Sequence, residues 1–114
     1  MNINSEIDKN FKLVIKILNE NSINYWICHG TLLGILRDGN LIPWDHDIDI
    51  AVWHDEISKD KVINLMEKDN FFLREGFGIE DDLVSFDKKG GRTVDFSFLK
   101  KKNKNSEEIA YVTY

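Results

Sequence analysis

The chain shows two spacings of apolar residues, one typical of helices and one typical of strands. Near the N-terminus, apolar residues recur at steps of three and four, at Ile7, Phe11, Val14, Ile15 and Leu18. This spacing predicts an amphipathic helix from about residue 5 to 20, with Ser5 as its N-cap. A second helix is predicted over roughly residues 58–68, with Ser58 as its N-cap and with an apolar face formed by Val62, Leu65 and Met66.

Shorter apolar runs, rich in strand-forming residues, predict a sheet. They lie at about residues 25–28, 45–52, 71–76, 83–88, 92–99 and 111–114. Lys89, Gly90 and Gly91 form a hairpin signal between two of these runs, and Thr31 is expected to cap a short helix over about residues 31–36. The polar run from Lys100 to Asn105 is expected to be a solvated loop. The predicted fold class is α+β, a small mixed twisted sheet with flanking helices.

Composition narrows the class of protein. A chain of 114 residues with 42% hydrophobic and 31% charged residues fits one globular domain over residues 1–114. Twenty acidic against fifteen basic side chains, a formal charge of -5, argue against a broad electrostatic surface for nucleic acid. The single cysteine suggests a reducing compartment, the N-terminus is too polar for a signal peptide, and no apolar run reaches membrane-spanning length. We therefore expect a cytoplasmic protein.

Aspartates and apolar residues alternate along the predicted strand at residues 45–52. Because residues two apart share one face of a strand, Asp45, Asp47 and Asp49 line one side of it. Three like charges at this spacing repel unless a cation lies among them. Oxygen ligands suit Mg²⁺ or Mn²⁺, and Mg²⁺ is commonly held by one or two carboxylates together with substrate phosphates. The pattern therefore predicts a metal site and a phosphate-bearing substrate.

The alternation has a simpler interpretation as the solvent face of an antiparallel sheet. Two features favour a metal and phosphate site instead. Asp95 lies in an otherwise largely apolar strand, opposite the face of Val94 and Phe96, and is a natural third metal ligand. Upstream, Gly30 precedes Thr31 at a predicted strand-to-helix turn, where a phosphate can approach backbone N–H groups at the positive end of a helix.

The stretch from His29 to Ile50, HGTLLGILRDGNLIPWDHDIDI, resembles the signature of the LicD family, which includes bacterial phosphocholine transferases and fukutin-related proteins. The resemblance is carried by Gly30, Thr31, Leu32, Leu33, Gly34, Arg37, Ile42, Pro43, Trp44, Asp45, Asp47 and Asp49. It implies a minimal nucleotidyltransferase-like core. It also implies that Asp47, Asp49 and Asp95 are the metal ligands and catalytic residues, with Asp95 as the base that activates an acceptor hydroxyl.

The same resemblance suggests substrate-binding roles for other residues. Gly30 and Thr31 would approach the phosphates, Arg37 would contact the donor phosphate, and Trp44 would shape the pocket. Asp45 would support the site from its edge. A salt bridge between Arg37 and a neighbouring aspartate such as Asp45 is an equally good interpretation of the arginine.

Three functions remain open at this point. The leading one is a metal-dependent transferase that moves a phosphocholine-like or phospho-alditol group from a CDP-linked donor to a sugar hydroxyl. The second is transfer of a nucleoside monophosphate to a small hydroxylated acceptor such as an aminoglycoside. The third is a non-catalytic module that binds a nucleotide or a partner, an interpretation favoured by the short sequence after Asp95. A homodimer would complete an acceptor site that so short a chain leaves open.

Overall fold

The computed structural model describes residues 8–28, 47–74, 82–104 and 107–112. Its helices are α1, Lys9–Glu20, and α2, Lys59–Lys68. The predicted short helix over residues 31–36 lies outside the described residues. Within the described residues, no helix is both long enough and apolar enough to span a membrane.

Helix α1 begins later than predicted, and its N-cap is Asp8 instead of Ser5. The Asp8 carboxylate accepts hydrogen bonds from the backbone N–H groups of Asn10 and Phe11. It also accepts from the backbone N–H of Arg92, at 3.0 Å, across the molecule. A carboxylate can serve both a helix end and a distant backbone group, and this tertiary contact favours Asp8 over an earlier cap.

Helix α2 confirms the helix predicted over residues 58–68, with Ser58 as its N-cap. The Ser58 hydroxyl accepts a hydrogen bond from the backbone N–H of Lys61, at 3.1 Å. The predicted apolar residues of this helix are its buried ones, Val62, Leu65 and Met66. Local capping and spacing were sufficient here because both signals lie within the helix itself.

The described strands form one six-stranded sheet. They are β1, Tyr25–Ile27; β2, Asp47–Trp53; β3, Phe72–Leu73; β4, Leu83–Asp87; β5, Thr93–Lys104; and β6, Glu107–Val112. Five of them follow the order β1-β2-β5-β4-β3, and β6 pairs with β5. Strands β2 and β5 are parallel and the other pairs are antiparallel. The predicted α+β class and mixed sheet are therefore confirmed.

The prediction of a loop was wrong for residues Lys100 to Lys104, and Asn105 lies outside the described residues. Strand β5 continues to Lys104 and pairs antiparallel with β6, from Leu99 opposite Val112 to Lys104 opposite Glu107. Composition indicated a loop because the run lacks apolar residues. The backbone ladder with a neighbouring strand, which composition does not reveal, supplies the hydrogen bonds that keep the run extended.

The predicted hairpin joins β4 to β5. Gly90 has a φ of 103°, in the left-handed region that favours glycine. A Cβ at Gly91 would lie 2.6 Å from the Asp8 carboxylate oxygen, so the turn packs closely against the start of α1. The Asn10 side chain, 2% exposed, donates from Nδ2 to the carbonyl oxygens of Lys88 and Arg92. Helix α1 is therefore attached directly to both ends of this turn.

The two faces of the sheet differ in chemistry. Strands β2, β4 and β5 direct apolar side chains to one face, where they are buried with residues of α1 and α2: Ile48, Ile50, Val52, Val84, Phe86, Val94, Phe96 and Phe98. The rings of Phe86 and Phe96 meet edge to face at 5.9 Å on this side. The remaining positions of the same strands belong to the opposite face, which carries the predicted aspartates.

Candidate carboxylate site

The register of the sheet brings predicted site residues from two strands together. Parallel pairing of β2 with β5 sets Asp49 opposite Asp95 and Asp47 opposite Thr93. Directly paired residues share a face and lie about 5 Å apart in neighbouring strands. Asp47 is exposed, and Asp49 and Asp95 are half-buried. Two aspartates close in sequence and one 46 positions after Asp49 therefore occupy one surface of the sheet.

Asp95 also receives a hydrogen bond from the other side. Strand β4 pairs Ser85 with Asp95, and the Ser85 Oγ donates to Asp95 Oδ1 at 2.5 Å. Burial is the main cause that raises the pKa of the Asp95 carboxyl above its usual range. The hydrogen bond from Ser85 acts against this rise, and the charge of Asp47 adds to it. Negative charge at Asp95 is therefore disfavoured by burial and by a like charge.

A cation and two further polar side chains extend this arrangement. Arg74 Nη1 donates to the Ser85 Oγ at 3.3 Å, and Arg74 Nε lies 3.5 Å from Asp87 Oδ2. The Thr93 hydroxyl in turn donates to Asp87 Oδ1 at 2.7 Å. The charge of Arg74 lowers the pKa of Asp95 and that of Asp87 raises it. A connected polar network thus runs along the same face from the end of β3 to β5.

Sequence reasoning missed both Ser85 and Arg74. Ser85 interrupts the apolar run of β4 at the position where alternation requires the aspartate face, and it is completely buried. That interruption was the available signal. For Arg74, one residue after β3, no comparable sequence signal exists because its contacts depend on the pairing of β3 with β4.

Cys28 directly follows β1, on the side of β2 that is away from β5. Its backbone N–H donates to the carbonyl oxygen of Asp49 at 3.1 Å, which extends the pairing of β1 with β2. Burial, with a smaller contribution from the charge of Asp49, raises the pKa of the Cys28 thiol to about 11. The thiol is half-buried, and it stays protonated near neutral pH. These properties do not suit a cysteine nucleophile.

The carboxylates fit a hard divalent cation by their chemistry. Asp47 and Asp95 repel each other electrostatically, and one or two carboxylates with substrate phosphates are a common Mg²⁺ ligand set. Among residues 8–28, 47–74, 82–104 and 107–112, no three His, Cys, Asp or Glu side chains converge closely enough to hold a metal by themselves. Metal ligation by Asp47, Asp49 and Asp95 remains a prediction. Gly30, Thr31, Arg37, Trp44 and Asp45, the predicted substrate-binding residues, lie outside the described residues.

Two tryptophans share the aspartate face farther along β2. Trp26 on β1 pairs with Ala51, and its ring meets that of Trp53 at a centroid distance of 4.8 Å and an angle of 62°. Both side chains are half-buried. They form an aromatic border of the face on the β1 side.

A cleft of about 380 Å³ lies at the other end of β2 from Asp47. It is bounded by the segment after α1 and the start of α2, including Asn21, Asn24, Glu56 and Lys61. The cleft shares no residue with the carboxylate network. We therefore do not include it in the candidate site.

Comparison with known families tests the resemblance of residues 29–50 to the LicD family. A family model described as LicD/FKTN/FKRP, nucleotidyltransferase domain, matches residues 22–114. The chain belongs to the LicD/FKTN/FKRP family. The match includes the strands that carry Asp47, Asp49, Ser85 and Asp95.

Curated relatives of this LicD-family chain are much longer. Human ribitol-5-phosphate transferase FKTN is 32% identical over 90 residues, which cover 77% of this chain and 19% of that protein. Human ribitol 5-phosphate transferase FKRP is 29% identical over 66 residues, 58% of this chain and 13% of that protein. An uncharacterized protein of Rickettsia prowazekii is 43% identical over 54 residues, 46% of this chain and 20% of that protein. The chain thus spans about a fifth or less of their lengths.

The fold also resembles a solved structure. The lincosamide antibiotic adenylyltransferase LnuA, in its lincomycin-bound crystal structure, superposes with a TM-score of 0.65. The match covers 99% of this chain and 82% of that one, at 13% sequence identity. At this identity the likeness establishes the fold, which is that of a nucleotidyltransferase.

Proposed function

We propose that this LicD-family chain provides the nucleotidyltransferase-type site of a metal-dependent transferase. The reaction moves a phospho-alditol or phosphocholine-like group from a CDP-linked donor to a sugar hydroxyl. The observation that carries the proposal is the pairing of Asp49 with Asp95, with Asp47 on the same face. The similarity of this chain to two ribitol-phosphate transferases supports a phospho-alditol as the transferred group.

In the proposed reaction, the acceptor hydroxyl oxygen forms a new bond to phosphorus as the bond from phosphorus to the departing CMP breaks. Asp95 accepts the hydroxyl proton. Because burial raises the pKa of its carboxyl, Asp95 is a stronger base than an exposed aspartate once it is ionised. Asp47, Asp49 and Asp95 would hold Mg²⁺ or Mn²⁺ together with the donor phosphates, and the cation would supply neutralisation of the phosphate charge.

The decisive experiment follows the two halves of a labelled donor. CDP-ribitol and CDP-choline, each labelled either in cytidine or in the head group, are incubated with Mn²⁺ and a panel of glycans. We expect the head-group label on the acceptor and the cytidine label in CMP. Transfer of the nucleoside half from a nucleotide donor to an aminoglycoside would instead establish the second function.

Variants of the aspartates test the site itself. Asp47→Ala and Asp49→Ala should each reduce turnover by at least about a hundredfold, because each removes a ligand for which water is a poor substitute. Asp55→Ala, in the exposed turn after β2, is the matched control and should retain activity. Full activity of Asp47→Ala and Asp49→Ala would refute the assignment of these aspartates. Absence of any transfer by the unaltered protein would leave the non-catalytic binding module as the better description.

Two further expectations belong to this proposal. We also propose a cytoplasmic location, which the single cysteine supports, and fractionation of the native cells would test it. We also propose a homodimer, in which the second copy would add acceptor-binding surface. Gel filtration combined with light scattering should then give twice the 13.3 kDa chain mass.

A further inference from the structure

The direction of the hydrogen bonds at Ser85 is determined by the chemistry of its two partners. A guanidinium group only donates, so the Ser85 Oγ accepts from Arg74. The hydroxyl has a single hydrogen, which it donates to Asp95 Oδ1. Since Ser85 is completely buried, water does not compete for this hydrogen. The serine therefore gives Asp95 one fixed donor.

Arg74 is itself held in place. Its Nε lies 3.5 Å from the carboxylate of Asp87, which also accepts a hydrogen bond from Thr93 at 2.7 Å. The side chains of Arg74 and Asp87 are about half exposed, so this ion pair adds little stability. Its effect is orientation, because it directs the guanidinium towards Ser85.

A fixed donor on Oδ1 restricts rotation of the Asp95 carboxylate about its Cβ–Cγ bond. The second oxygen, Oδ2, is then held in one direction relative to β5. Partners that orient a ligating carboxylate in this way commonly change metal affinity by about 10- to 100-fold. On the proposed function, the metal and the acceptor hydroxyl are the groups that Asp95 must meet.

We propose that Ser85, oriented by Arg74, is a positioning residue that holds the Asp95 carboxylate ready for a divalent cation. This inference rests on the proposed function and adds to it two residues outside the aspartate motif. Ser85 touches neither metal nor substrate and acts only through Asp95. A purely structural serine would change the stability of the protein and leave the affinity for the cation unaltered.

The test measures Mn²⁺ binding directly, by the loss of the free-ion electron paramagnetic resonance signal during titration of the whole chain. We expect Ser85→Ala to weaken Mn²⁺ binding by about tenfold. Ser97→Ala is the matched control, because Ser97 is a buried serine on the same face, two residues from Asp95. This control should bind within about twofold of the unaltered protein.

Two more variants separate orientation from folding. Ser85→Thr keeps the hydroxyl and should restore binding to within about threefold. Arg74→Lys changes a half-exposed side chain, so the protein should fold normally, and it keeps the positive charge that acts on Asp95. It should weaken Mn²⁺ binding by about threefold, because an ammonium group lacks the planar fork with which the guanidinium contacts both Ser85 and Asp87. Melting temperatures of all variants are measured without metal.

The outcomes distinguish this inference from the proposed function. If the unaltered protein binds Mn²⁺ and Asp95→Ala abolishes binding, the metal site stands. In that case, equal affinities of Ser85→Ala, Arg74→Lys and Ser97→Ala would overturn the positioning role alone. Folded Ser85→Thr that binds as weakly as Ser85→Ala would also overturn it. If the unaltered protein binds no Mn²⁺, the proposed metal site fails and the inference fails with it.

Discussion

Replacement of Asn10 by alanine is expected to destabilise the protein far more than its position in an N-terminal helix suggests. The side chain is 2% exposed, and its Nδ2 donates to the carbonyl oxygens of Lys88, at 2.8 Å, and Arg92, at 3.0 Å. These carbonyls lie on the two sides of the turn between β4 and β5. The substitution removes both donors and leaves two backbone acceptors without their partner.

The magnitude follows from these two bonds. Each neutral hydrogen bond contributes about 0.5–1.5 kcal/mol, and a buried group left without a partner costs about 1–3 kcal/mol. Alanine is the better helix former by at most about 0.7 kcal/mol, which offsets a small part of the loss. We expect a net loss of about 2–4 kcal/mol in the free energy of unfolding. For a domain of this size, the melting temperature should fall by about 8–16 °C.

Urea denaturation followed by circular dichroism measures this loss. Asn64→Ala is the matched control, because Asn64 is an exposed asparagine within α2. It should be neutral or slightly stabilising, since only helix propensity changes. A further variant, Asn10→Asp, preserves shape but turns a carboxylate towards the two carbonyl oxygens. It should be at least as destabilising as Asn10→Ala at neutral pH. A loss below about 1 kcal/mol relative to Asn64→Ala would refute the reasoning.

Two other predictions concern the titratable groups of the carboxylate face. Burial raises the pKa of Asp95, so its ionisation reduces stability progressively as pH rises from about 4, the ordinary aspartate value, through its own higher pKa. Asp95→Asn, in metal-free buffer, should therefore unfold at higher urea than the unaltered protein at pH 7, and this advantage should shrink below about pH 4. An equal advantage at both pH values would contradict the burial argument. The thiol of Cys28, with a pKa of about 11, should react with iodoacetamide at pH 8 about a hundredfold more slowly than free cysteine. Labelling as fast as in the urea-unfolded chain would contradict the burial that raises this pKa.

Much of the carboxylate site was predictable from local alternation. Asp47 and Asp49 were assigned to one face because a strand has a period of two, and the structure places Ile48 and Ile50 in the core opposite them. Asp95 was recognised in the same way, from a single acid among apolar residues. The capping of α2 by Ser58 was equally local. Each of these predictions depended only on residues a few positions away in the sequence.

Other features depended on residues far apart in the chain. Asp8 became the cap of α1 partly through its contact with Arg92, and the run from Lys100 to Lys104 became a strand because β6 pairs with it. Neither partner can be identified from the spacing of residues around Asp8 or Lys100. The roles of Ser85 and Asn10 are of the same kind, since a buried serine and a helical asparagine have many structural interpretations until their partners are known.

The amino-acid sequence by itself determined which side chains can occupy each face of a strand or helix, because backbone geometry sets those periods locally. It also carried the signature that relates the chain to the LicD/FKTN/FKRP family. Tertiary structure alone decided the register that pairs Asp49 with Asp95 and Asp95 with Ser85. Register depends on the combined packing of the sheet against α1 and α2 and on the turn held by Asn10, and these are interactions between distant parts of the chain.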